Sequence, residues 1–130
     1  AMDAKSVVTS PSPQSTITHG KGPLVISGLA WSGRGAIKRV DVSIDGGKNW
    51  HEARLVQPGA KMALTRFYFD VEWNGMELFL QSRAHDETGY VQPSKEELRK
   101  VRGLNSIYHN NCIQTWWIKS NGEVENVEIS

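Results

Sequence analysis

The run Ile37–Ile44 constrains the fold of this chain more than any other. It sets Val40, Val42 and Ile44 on one side and Arg39, Asp41 and Ser43 on the other. A period of two belongs to an extended strand, and β-branched residues mark the face that packs. Asp45-Gly46-Gly47-Lys48-Asn49 follows, and two glycines after an aspartate make the positive φ of a tight turn cheap. Trp50–Val56 then reads as the returning hairpin strand. A half-buried strand needs a second layer against its apolar face, so a layered all-β fold is the first expectation.

The rest of the chain repeats the pattern. Val7-Val8, with Pro11 and Pro13 after them, predicts a short edge strand and an extended loop. Leu24–Trp31 is apolar or small on both faces and predicts a central strand covered on both sides. Ala63–Trp73 carries Phe67, Phe69, Val71 and Trp73 on one face. Asn74-Gly75 signals a hairpin turn, with Glu77–Ala84 as the partner strand and Asp86–Pro93 irregular after it. Ser94 and Glu97 form a capping box ahead of one or two helical turns, and Gly103–Asn111 reads as a long loop. Cys112–Lys119 alternates again, and Asn121-Gly122 turns the chain into a last strand, Glu123–Ile129. Turn signals at a spacing of roughly ten residues predict a β-sandwich made of hairpins, with one short helical segment near the C-terminal end.

A chain of 130 residues closes one core, and its net charge of +1 gives no electrostatic basis for binding nucleic acid or an acidic membrane. No apolar run approaches the ~20 residues of a membrane helix, and no signal peptide is visible. Ala1-Met2-Asp3 has the look of an expression remnant, so residues 1–4 read as a leader and 5–130 as the domain. The single cysteine, Cys112, excludes an internal disulfide and a multi-cysteine zinc site, and is expected as a small buried hydrophobe. His19, His51, His85 and His109 are scattered; His85-Asp86-Glu87 is the one local ligand-like cluster and offers no closed metal set. Nothing resembles a nucleophile setting, and Gly33-x-Gly35 lacks the third glycine of a dinucleotide loop.

Ser43-x-Asp45-x-Gly47-x-x-Trp50 fits the Asp-box pattern of propeller hairpins, which specifies a turn: the aspartate caps turn amides and the tryptophan packs beneath. Trp31, Trp50 and Trp73 fall where strands meet turns and read as core or rim packing. Trp116 and Trp117 point to opposite faces of one strand, so at most one joins the core and the other is an interface candidate. A competing reading is a carbohydrate- or ligand-binding sandwich that uses its tryptophans and the loop His85–Tyr90.

Longer motifs carry a resemblance. Gly28-Leu29-Ala30-Trp31-Ser32-Gly33-x-Gly35 followed by Ile37-Lys38-Arg39-Val40 and the Asp-box turn is similar to the dimerisation domain of sulfite-oxidase-type molybdenum enzymes. So are Gln81-Ser82-Arg83-Ala84-x-Asp86-Glu87-Thr88-Gly89-Tyr90-Val91-Gln92-Pro93 and Arg102–Trp116, the latter resembling most the molybdenum subunits of the sulfane dehydrogenase branch. The resemblance spans about Val7 to Val127. It implies an immunoglobulin-like module that forms homodimers, with molybdopterin held by an N-terminal domain absent from this chain. The isolated module is then inactive and binds no cofactor or metal. It implies a periplasmic parent enzyme that passes electrons to a c-type cytochrome. Arg102-Gly103 resembles the pair whose arginine reaches the substrate-anion pocket; a surface or helix-capping role for Arg102 is the alternative. Tyr108, Trp116 and Trp117 are the implied interface candidates.

Overall fold

Alternating β-branched and aromatic residues do form strands: the described residues hold β1 (Lys5–Ser10), β2 (Gly22–Trp31), β3 (Ile37–Ser43), β4 (His51–Glu52), β5 (Arg54–Val56), β6 (Thr65–Trp73), β7 (Leu78–Asp86), β8 (Thr115–Ile118) and β9 (Val124–Val127). The computed structural model describes residues 4–13, 15–18, 20–33, 35–56, 64–94, 96–97 and 112–127. The strands form two antiparallel sheets, one ordered β1-β2-β6-β5 and the other β4-β3-β7-β8-β9. This is the expected β-sandwich.

The core is what the two inward faces share. Leu24, Ile26, Ala30, Phe67 and Trp73 come from one sheet, and Val40, Val42, Leu80, Ala84, Ile118 and Val124 from the other. Gly28 makes room for the largest of the fully buried side chains: a Cβ there would overlap the Phe67 ring and the Val7 carbonyl. Full burial of a phenylalanine contributes about 2–3 kcal/mol, so the glycine is a packing requirement.

Several local expectations are corrected. The second face of β2 is the outward face of its sheet, and Val25 there is 50% exposed. Small and apolar residues on both sides imitated a strand covered twice, whereas a sandwich covers each sheet once.

Trp50–Val56 is not one hairpin strand. His51 and Glu52 pair with β3, and then the chain crosses, so that Arg54–Val56 pairs with β6 in the other sheet. Ala53 makes the crossing, buried at 6% exposure, its N–H donating to the Val40 carbonyl at 2.8 Å. His51 stacks on Phe69 across the same flank, ring centroids 5.7 Å apart.

Asn74-Gly75 does not close a hairpin either, because β6 and β7 lie in different sheets. The turn is tight, with Gly75 at φ +82° and the Met76 N–H donating to Asn74 Oδ1 at 3.0 Å. It serves as an arch, anchored by Trp73 Nε1 donating to the Met76 carbonyl at 2.9 Å. Turn chemistry is local and does not encode which sheet receives the chain.

The segment expected to be irregular, Asp86–Pro93, is a hydrogen-bonded turn around Asp86, which is fully buried. Its carboxylate accepts from Ser32 Oγ, Thr88 Oγ1 and the N–H groups of Thr88 and Tyr90. Burial pushes this carboxyl up, but those bonds, Thr88 foremost, outweigh it and hold it below the usual range. The eighth strand begins at Thr115 rather than Cys112; before it, Ile113 donates to the Pro93 carbonyl. Ser94 and Glu97 make both capping-box bonds, at 2.9 and 3.1 Å. Of the helical segment Glu96 and Glu97 are described, in helical conformation; its residues 98–100 and the loop Gly103–Asn111 lie outside the described residues.

Candidate functional site

The outward face of the five-stranded sheet collects the chemically active side chains. Register sets Asp41 opposite Arg83 and Arg39 opposite His85, while Gln81 pairs with Ser43 on one side and Thr115 on the other. This face was expected to be the polar, solvent side of β3, yet Asp41 is 5% exposed and Ser43 fully buried.

Asp41 is the hub. It accepts from Arg39 Nε (3.1 Å), Arg83 Nη2 (3.1 Å) and His85 Nε2 (2.8 Å). The short imidazole contact assigns the hydrogen to Nε2, so Arg39 Nη2, 3.2 Å from that nitrogen, meets it as a second donor. Burial raises the Asp41 carboxyl, but His85, Arg83 and the charge of Arg39 together bring it below the usual range. The Arg83 guanidinium lies over the Trp50 ring, 4.1 Å from its centroid. Planar stacking suits arginine, and the aromatic face fixes the fork that reaches Asp41.

The Asp-box turn folds back over this face. Ser43 Oγ donates to Asp45 Oδ1 (2.7 Å) and accepts from the Gly47 N–H (2.9 Å); Asp45 accepts from Asn49 through backbone and side chain. Those Asn49 bonds and Ser43 hold the Asp45 carboxyl far below the usual range. Gly47, at φ +94°, is close enough to Gln81 that a Cβ would come within 2.8 Å of its amide oxygen. Gln81 in turn donates to Thr115 Oγ1 at 2.9 Å.

Trp117 lies further along the face, its ring parallel to Phe79 with centroids 6.2 Å apart and Lys119 Nζ 4.9 Å from its centroid. Trp116 points the other way, packs against the core and donates its indole N–H to the Val8 carbonyl at 2.7 Å. The division between the two tryptophans follows strand parity. Arg102, Tyr108, His19 and His109 lie outside the described residues.

Among the described residues, no group of three or more His, Cys, Asp or Glu could hold a metal ion. His85 and Asp86 point apart, one to Asp41 and the other into its own turn. Cys112 is 4% exposed, with Gln114 Nε2 3.9 Å from its sulfur. No helix among them is long and apolar enough to cross a membrane. The Asp41–Arg83–Trp50 cluster escaped the sequence reading because its members come from separate segments: the register of β3 on β7 joins Asp41 to Arg83, and the Asp-box turn brings Trp50 over them.

The sequence model of the Mo-co oxidoreductase dimerisation domain family matches residues 1–116. Sulfite oxidase of Gallus gallus is 36% identical over 116 residues, covering 83% of this chain and 25% of that protein. The mitochondrial sulfite oxidase of Rattus norvegicus is 48% identical over 119 residues, covering 85% of this chain and 21% of that protein. The crystal structure of the sulfane dehydrogenase SoxCD from Paracoccus pantotrophus aligns with a TM-score of 0.96 at 68% identity, covering 100% of this chain and 33% of that one. The chain thus spans a minor part of the length of these relatives.

Proposed function

The chain belongs to the Mo-co oxidoreductase dimerisation domain family, and on that premise we propose that it pairs the subunits of a molybdenum-dependent sulfur-compound dehydrogenase and has no turnover of its own. The observation that carries this reading is the 68% identity to a sulfane dehydrogenase over the whole chain. Among the described residues no His, Cys, Asp or Glu group could hold a metal ion, and the thiol of Cys112 is 4% exposed. In this reading the cofactor sits in a part of the parent enzyme outside this chain, the parent works in the periplasm, and its electrons go to a c-type cytochrome. Arg102 would fork onto a sulfur oxyanion in the assembled enzyme.

The partner is a second copy. A two-fold interface uses one patch twice and buries on the order of 800 Å² per subunit. The outward aromatic pair Phe79–Trp117 supplies a rigid apolar centre beside a fixed polar cluster, with Tyr108 in the same part of the sequence. Trp116 serves from inside, tying β8 to β1. Light scattering across a range of concentrations is the test. A dimer that Trp117→Ala shifts toward monomer supports the reading; a dimer indifferent to that change moves the interface elsewhere. A monomer at every concentration removes pairing from this chain.

A further inference from the structure

The sequence contains two Asn-Gly pairs, Asn74-Gly75 and Asn121-Gly122, and the fold treats them in opposite ways. Both asparagines are exposed, and both accept a backbone N–H on Oδ1 from two residues ahead, at 3.0 Å in each case. The difference lies in the glycines. Gly122 is buried in the β8–β9 hairpin, and its N–H donates to the Lys119 carbonyl at 2.9 Å. A Cβ on Gly122 would overlap the Ile17 backbone, so the peptide has no room to rotate. Asn121 Nδ2 is held as well, by Glu123 Oε1 at 2.5 Å. Gly75 is half-buried in the arch between the sheets, and among the described residues its N–H meets no acceptor. Among the described residues, a Cβ there would meet the alkyl chain of Lys21 at 3.4 Å.

We propose that Asn74 is a site of spontaneous covalent modification, converting through a succinimide while Asn121 is protected by its hairpin. The Gly75 nitrogen gives up its proton to solvent base and bonds to Asn74 Cγ. The Cγ–Nδ2 bond breaks and ammonia leaves, closing a five-membered imide. One water then opens the imide at either carbonyl, giving aspartate or isoaspartate, and no oxidant or reductant takes part. The Met76 N–H stands where negative charge develops on Oδ1 during the attack. At Asn121 the equivalent donor is present, but the nucleophile must first break its bond to Lys119. One such bond separates the two rates by about tenfold. The product places a new carboxylate in the arch joining β6 to β7 and, as isoaspartate, adds a backbone methylene there.

The test is peptide mapping by mass spectrometry after incubating the folded chain at mildly alkaline pH in ¹⁸O-labelled water. Trypsin separates the two sites, because Asn74 falls in the peptide 67–83 and Asn121 in the peptide 120–130. The expected result is label and an aspartate–isoaspartate doublet accumulating about tenfold faster in the first peptide. In denaturant the two peptides should convert at similar rates, and Asn74→Gln should remove the doublet at the arch. Equal rates in the folded chain, faster conversion at Asn121, or conversion of Asn74 only in denaturant would each overturn the proposal.

Discussion

The two outward faces of the sandwich are built on opposite plans. On the four-stranded sheet Val25 and Val56 are 50% and 56% exposed. The Arg54–Asp70 pair stands in solvent with side chains 66% and 67% exposed. On the five-stranded sheet the polar residues Asp41, Ser43, Gln81 and Thr115 are all at least nine-tenths buried and hydrogen-bonded, Gln81 to Thr115, Ser43 to Asp45 and Asp41 to Arg83. Polarity therefore does not predict exposure in this fold. One face is an ordinary wet surface; the other is a polar layer that the chain's own aromatic rings, guanidinium groups and Asp-box turn cover. Ion pairs of the same chemistry should have very different weights on the two.

The sharpest test sets the two aspartates against each other. Asp41→Ala leaves two guanidinium groups without their shared acceptor and should lower unfolding free energy by about 2–3 kcal/mol. Asp70→Ala should cost no more than about 0.5 kcal/mol. Urea denaturation of both variants reads the difference, and equal losses would erase the distinction between the faces.

Acid comes next. Asp41 and Asp86 lie below the ordinary aspartate value of about 4 when folded and return to it when unfolded. In the window between, the unfolded chain binds more protons. Their contribution is therefore complete above about pH 4 and is lost as pH falls through the folded values. Denaturation curves from neutral pH down to about pH 2 should show that loss, smaller in Asp41→Asn than in the parent.

The smallest effect belongs to Trp117→Phe. Arg83 Nε and Trp117 Nε1, both on this face, are buried N–H groups that meet no acceptor among the described residues. Phenylalanine keeps a ring against Phe79 and deletes one unmet donor. The change should be neutral or stabilise by up to about 1 kcal/mol, measured as a shift in the denaturation midpoint. A loss larger than that would mean the indole's area matters more than its unpaired N–H.

What the sequence made legible was the part governed by neighbours along the chain. Period-two alternation located β3 and the inward face of β6, glycines at positive φ marked the Asp-box and β8–β9 turns, and parity separated Trp116 from Trp117. What it hid was every choice of partner. Asn74-Gly75 has the same chemistry whether it closes a hairpin or vaults between sheets, and Ala53 carries no mark that its strand will change sheets. Asp41 looked solvated because the residues that cover it, Arg83 and Trp50, arrive through pairing and turn geometry rather than through local pattern.

The strand that changes sheets at Ala53 has a mechanical consequence. Along that flank the layers share one unbroken backbone, as two boards share a spine. Along the other flank they meet through non-covalent ties such as Trp116 to Val8 and Ile17 to Gly122. A sandwich bound on one side and latched on the other parts at the latch. The rim beside β8, which carries Trp116 and Trp117, is then where thermal motion first loosens the molecule, and a partner docked on that rim would hold the book shut.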